Sequence, residues 1–185
     1  DTALVLGGEV KVLFEGQVGG MPVQTPWVDV RSIGAGGGSI AHIDMGGLMR
    51  VGPRSAGAVP GPACYGKGGT EPAVTDAAAH LGMLGPGELA SGIGLDFDRA
   101  RAALEAVGAQ IGQDADATAV GVMRIAAASM ANAMREITVE QGLDPRQMQL
   151  LPFGGAGPMF ATLLADELKV AGIVVPPLAG NFSAW

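Results

Sequence analysis

The stretch QMQLLPFGGAGPMFATLLADELKVAGIVVPP, residues 147–177, decides the fold. QMQLLPF (147–153) reads as a buried strand, GGAGP (154–158) as a turn, MFATLLADELKV (159–170) as a helix and GIVVPP (172–177) as a second strand. Strand, helix and strand in this order make a βαβ unit, which demands a parallel pair and places ligands at the carboxyl ends of the strands. The turn lies at such an end. Gly154, Gly155 and Gly157 let the backbone come close to a ligand around Ala156. Pro158, expected at the first helical position, fixes φ and gives up an N–H that would be unpaired anyway. The helix start is then a ready acceptor of negative charge or of a ribose hydroxyl. A dinucleotide fingerprint needs G-x-G-x-x-G, but after Gly155 and Gly157 the third position is Phe160, and proline rather than an acid follows further on. Ligand contact and a plain strand-to-helix turn both fit the local pattern.

Before this unit the pattern predicts one long helix, Asp116 to Gln141, with Gly142 just past its end and Pro145 beyond. Ala119, Met123, Ala126, Met130, Met134 and Ile137 form one stripe, which Ala127, Ala128, Ala131 and Ala133 widen with small side chains. Such a helix can lie close against a sheet. Residues 117–134 approach the length of a membrane span, but Arg124, Ser129 and Asn132 interrupt them, which favours a buried helix and no membrane.

The N-terminal part, 1–52, reads as mainly β. TALVL and EVKVLFEGQV flank a Gly7-Gly8 turn, the pattern of a hairpin. WVDVRSI and SIAHIDM flank Gly34-Ala35-Gly36-Gly37-Gly38, and LMRVG follows Gly46-Gly47. Residues 53–72 form a Gly/Pro-rich loop, functional or disordered at that length. Residues 73–112 read as a helical insertion, with Thr75-Asp76 as N-cap of a helix through about Leu81 and Asp96 as N-cap of FDRARAALEAVGAQI. Residues 113–185 hold the long helix and the βαβ unit. The class is mixed α/β.

With 48% apolar residues the 185-residue chain can build one sizeable core or two small ones. A net charge of −7 without any basic run excludes an electrostatic footprint for nucleic acid and points to small-molecule chemistry. The single Cys64 cannot form an internal disulfide and no signal peptide opens the chain, so a cytoplasmic protein is expected; the start at Asp1 reads as an excised piece.

Four other constellations carry chemistry on paper. GPACYGKGG (61–69) nearly spells a phosphate loop, but Gly68 stands where Ser or Thr should bind magnesium, and neither strand nor helix flanks it. Gly34, Gly36, Gly37, Gly38 and Ser39 can form an anion-binding nest or a flexible hairpin connection. His42 with Asp44, and Asp76 with His80, share faces of a strand and a helix and could ligate a metal or shuttle protons; surface or capping roles weigh more. Cys64 reads as a buried thiol rather than a nucleophile.

Together DVRSIGAGGGSIAHID (29–44), LMRVGPRSAGAVPGPACYGKGGTEPAVTDA (48–77), RIAAASMANAMREITVEQGLDPRQMQLLPFGGAGPMFA (124–161) and VVPPLAGNFSAW (174–185) resemble the hydantoinase A/5-oxoprolinase family, in its order and over nearly the whole chain. The resemblance implies an ATP-dependent hydrolase of cyclic amides, in which ATP phosphorylates the lactam oxygen. Related subunits serve ATP-dependent ketone carboxylases, and a non-catalytic actin-like assembly module is a third reading. The implied fold is a partial actin-like, sugar-kinase-like (RNase H-like) lobe. The resemblance makes Gly154, Gly155, Ala156, Gly157 and Pro158 adenosine-side contacts, and sets Gly34, Gly36, Gly37, Gly38 and Ser39 near substrate or phosphates.

It also implies ATP and Mg2+ as cofactors, a cyclic amide as substrate, a hydantoinase B-type subunit or domain as partner, and an oligomer. Two departures stand out. Phe160 occupies a position where the family usually has histidine. The family's Asp-x-Gly-Gly-Thr phosphate motifs are missing, Asp1-Thr2 beginning just beyond the second, so this fragment is expected to be inactive alone.

Overall fold

The computed structural model describes residues 1–86, 89 and 92–184. Gly87, Glu88, Ala90 and Ser91 of the expected helical insertion, and Trp185, lie outside the described residues.

The chain opens with short antiparallel pairings. Strands β1 (Val5–Leu6) and β2 (Glu9–Val10) meet across Gly7-Gly8, whose φ values of 61° and 87° are those a two-residue hairpin turn requires. EVKVLFEGQV was expected as one strand; it divides into β2, β3 (Val12–Leu13) and β4 (Gly16–Val18). A second two-glycine hairpin, at Gly19-Gly20, joins β4 to β5 (Met21–Val23). β3 instead pairs with β6 (Trp27–Val28). The indole of Trp27 lies so close on Gly16, where β4 begins, that a Cβ there would collide with it.

β7 (Ser39–Ile43) and β8 (Met49–Ser55) form the main hairpin, with His42 opposite Arg50 and Ile43 opposite Met49. Its turn is organised by Asp44, whose carboxylate accepts from the N–H groups of Gly46 (2.9 Å) and Leu48 (3.0 Å) and from Nε of Arg50 (2.8 Å). The strands on either side of the Gly34–Gly38 cluster, β6 and β7, do not pair with each other, so the hairpin-connection reading of that cluster is corrected. β8 also runs three residues into the stretch expected as loop.

Helix α1 (Val74–His80) begins before Thr75-Asp76, correcting their reading as N-cap. Asp76 sits at the third helical position and reaches back to the N–H of Ala73 (2.7 Å), so it still satisfies a free donor of the first turn. In α2 (Phe97–Gly108) Asp96 is the N-cap, accepting from Arg99 N. In α3 (Ala115–Glu140) Asp114 is the N-cap, and Gly142, at φ 68°, ends the helix as its composition predicts.

The α3 stripe is the spine of the core. Ala119, Val122, Met123, Ala126, Met130 and Ala131 are buried in one cluster with Val74, Leu104, Phe160 and Leu164. Its partners are mainly the helices α1, α2 and α4, not the sheet that was expected. It meets β8 at Gly121, where the Met49 sulfur lies 3.3 Å from the place a Cβ would take.

The closing unit is β9 (Gln149–Leu150), α4 (Gly157–Leu168) and β10 (Gly172–Ile173), with β9 and β10 parallel. The βαβ reading holds, but the strands are short, and Leu151, within the run expected as a buried strand, is exposed, as are Val174 and Val175 after β10. A two-stranded sheet covers only the face that α4 packs on; no third strand flanks it among the described residues. No described helix is long and apolar enough to cross a membrane.

Candidate functional site

The turn after β9 is held from behind and open in front. Gly154 adopts φ 79°, which only glycine takes without strain, and its N–H donates to the carbonyl of Ala179 at 2.7 Å. Ala156 is the N-cap of α4, and Pro158 falls on the second helical residue, one later than expected. The N–H groups of Gly155 and Ala156 donate to no group among the described residues. Gly155 is exposed, outside the positive-φ region, and has no heavy atom within 4 Å of where a Cβ would stand.

The first glycine string is braced from three directions. Gly36 N–H donates to Oγ of Ser39 at 3.0 Å, and Ser39 N–H returns a bond to the Gly36 carbonyl at 3.0 Å. The Gly37 carbonyl accepts two bonds from one residue, Thr75, through its N–H (2.8 Å) and its hydroxyl (2.9 Å). The Gly38 carbonyl accepts from Ala56 N at 2.8 Å. Ser39 is buried and its oxygen is already engaged. The N–H groups of Gly37 and Gly38 have no partner among the described residues.

These two strings meet. A Cβ placed on Gly37 would stand 3.6 Å from the Cβ of Ala156, although 119 positions separate them in the chain. Gly37 and Ala156, each with an N–H that has no partner among the described residues, are therefore neighbours, and Gly38 and Gly155 adjoin them in the chain. Sequence reasoning proposed both strings but not their junction, and it missed Thr75, which it took for a helix cap. A hydrogen bond across 38 positions leaves no local signal.

The other candidates separate. Asp76 is fully buried and spends its carboxylate on the N–H groups of Ala63 (3.1 Å), Cys64 (2.7 Å) and Ala73, so it is no partner for His80. His80 bonds through Nε2 to Asp116 instead, at 2.7 Å. Loop 53–72 is folded rather than disordered: a 3-10 turn, Ala63–Tyr65, sits on Asp76, and Gly69 packs against the Gly61 carbonyl. β8 ends at Ser55 and α1 begins at Val74, so neither abuts GPACYGKGG (61–69) as a phosphate loop requires.

The Cys64 thiol is fully buried, and burial first, then the Asp76 carboxylate, push its pKa far above the ordinary thiol range, which leaves it inert. Asp44 is committed to its turn, and the Arg50 guanidinium holds its carboxyl below the usual range. His42 lines a groove of about 250 Å3 with Glu71 and α2, its Nδ1 buried without a partner. Among the described residues no three His, Cys, Asp or Glu side chains gather as a metal cage. Phe160, fully buried in the α3–α4 core, is a packing residue.

Comparison with known proteins agrees with this architecture. The family model described as hydantoinase/oxoprolinase matches residues 1–185. The caprolactamase subunit alpha of Pseudomonas jessenii is 39% identical over 189 residues, covering 100% of this chain and 27% of that protein. The crystal structure of the ATP-dependent caprolactamase from Pseudomonas jessenii superposes with a TM-score of 0.81 at 41% identity, over 88% of this chain and 24% of that one. The nucleotide-free structure of acetone carboxylase, from work on ATP-dependent acetone carboxylation, superposes with a TM-score of 0.85 at 26% identity, over 96% and 25%. The chain therefore spans about a quarter of the length of the curated relatives it matches first. With the family model covering every residue, this chain belongs to the hydantoinase/oxoprolinase family.

Proposed function

We propose that this chain is part of an ATP-dependent hydrolase of cyclic amides, of hydantoin or 5-oxoproline type, and that the two glycine strings receive the nucleotide. The observation that carries the reading is the approach of Gly37 to Ala156, which joins two glycine strings whose N–H groups at Gly37, Gly38, Gly155 and Ala156 have no partner among the described residues. Gly154, Gly155, Ala156, Gly157 and Pro158 form the nucleoside side, and Gly34, Gly36, Gly37 and Gly38 the phosphate or substrate side, with Ser39 bracing from behind. Bound ATP supplies the activating phosphoryl group; this chain's part is to seat it with backbone donors. Magnesium is assigned to no residue here, since the nest offers donors to anions and no carboxylate to a cation.

The unit is read as part of an actin-like lobe of a cytoplasmic, oligomeric enzyme that works with a hydantoinase B-type subunit or domain. Alone, the 185 residues bind nucleotide weakly and do not hydrolyse it. The test is calorimetric ATP binding and turnover of hydantoin, 5-oxoproline and caprolactam by the protein that carries this chain. Absence of ATP binding refutes the reading. The likeness to acetone carboxylase supports a second reading, a ketone carboxylase subunit, which labelled bicarbonate incorporated into a ketone would favour.

A further inference from the structure

We infer that Thr75 is a positioning residue for this site: it sets the orientation of the Gly37–Gly38 peptide, so that the Gly38 N–H faces the nest. In a planar trans peptide the C=O of one residue and the N–H of the next point in opposite directions. Fixing the Gly37 carbonyl therefore fixes the Gly38 N–H. Thr75 grips that carbonyl twice, with its own N–H at 2.8 Å and its hydroxyl at 2.9 Å.

The same geometry applies one residue earlier, where Ser39 N–H holds the Gly36 carbonyl and so turns the Gly37 N–H outward. Glycine gives a peptide unit unusual freedom to rotate, and a string of glycines without such anchors would sample many orientations. Thr75 is itself immobilised, being buried in the first turn of α1 beside Asp76. Asp76 ties that turn to the N–H groups of Ala63 and Cys64, so α1 links loop 53–72 to the first glycine string.

The inference rests on the nucleotide reading for its consequence, and its test separates the two. Thr75→Val removes the hydroxyl at nearly constant shape, while Thr75→Ser keeps it. In the protein that carries this chain, Thr75→Val is expected to weaken ATP binding about threefold to tenfold, the range of one lost net hydrogen bond, and Thr75→Ser to stay within about twofold. The maximal rate at saturating ATP is expected to change less than the affinity. A crystal structure of Thr75→Val without nucleotide is expected to have the Gly37–Gly38 peptide rotated or in two orientations.

Wild-type affinity in a folded Thr75→Val, or an unrotated peptide in its crystal, overturns the inference. If Thr75→Val does not fold, Thr75→Ala takes its place in both measurements. If the wild type itself does not bind ATP, the nucleotide reading falls and the crystal structure still decides the bracing.

Discussion

Gly155→Val asks whether a ligand truly approaches the turn, because the fold itself is nearly indifferent to this position. Gly155 lies outside the positive-φ region, is exposed, and a Cβ there would meet no heavy atom within 4 Å, so branching a side chain from it displaces nothing at its root. An exposed substitution of this kind costs the folded state no more than about 0.5 kcal/mol. A ligand oxygen accepting from the Gly155 N–H would sit about 2.9 Å from the nitrogen, inside the space the valine methyls sweep. Losing one hydrogen bond to a charged group removes about 1.5–3 kcal/mol, which corresponds to a Kd weaker by roughly tenfold to a hundredfold. The assay is titration calorimetry with ATP on wild type and variant, with thermal unfolding in parallel. An unchanged Kd in a variant with unchanged Tm refutes nucleotide contact at this turn. Gly154→Val gives the contrast: at φ 79° it strains the backbone, so it is expected to lower Tm as well as affinity.

Phe160→Ala is expected to cost about 3–5 kcal/mol in urea unfolding, because the ring is fully buried between α3 and α4. Asp76→Ala strips the acceptor from three buried N–H groups and is expected to cost several times the roughly 1–3 kcal/mol of one orphaned donor, with loop 53–72 becoming sensitive to protease first. Cys64 is expected not to react with a thiol reagent at pH 8 until denaturant is added. Its folded-state pKa is raised, so its contribution to stability is complete below the ordinary thiol value of 9.0 and declines as pH climbs above it; Cys64→Ala should flatten that alkaline decline in Tm. The purified 185-residue chain is expected to lack magnesium-dependent ATPase activity, measured as phosphate release.

The parts of the fold that were legible in sequence are those whose causes are local. The α3 stripe follows from spacing, its end from Gly142, the start of α2 from Asp96, and the first hairpin from Gly7-Gly8, whereas the cap of α3 is Asp114, two residues before the expected start at Asp116. EVKVLFEGQV misled because its β-branched and apolar run conceals that its pieces β2, β3 and β4 pair with three different strands, a property set by the rest of the chain. The apolar run QMQLLPF implied burial, yet Leu151 and Phe153 are exposed, since among the described residues the sheet has only two strands. Both glycine strings were visible as strings, since glycine density is a local property. That they meet, that Thr75 anchors one of them, and that Asp76 serves a loop rather than His80 are facts of tertiary approach, which periodicity does not encode.

The anchoring of loop 53–72 has a consequence for how this region can vary. Asp76 holds it through the backbone N–H groups of Ala63 and Cys64. Part of the loop's shape is thus fixed from outside the loop, by one carboxylate of α1. Positions such as Val59, 80% exposed, and Lys67 are free to change identity without changing the path of the chain. A segment that is anchored at its buried centre and exposed at positions such as these is suited to acquiring new recognition: a library randomised at Val59 and Lys67 would vary chemistry on a held frame.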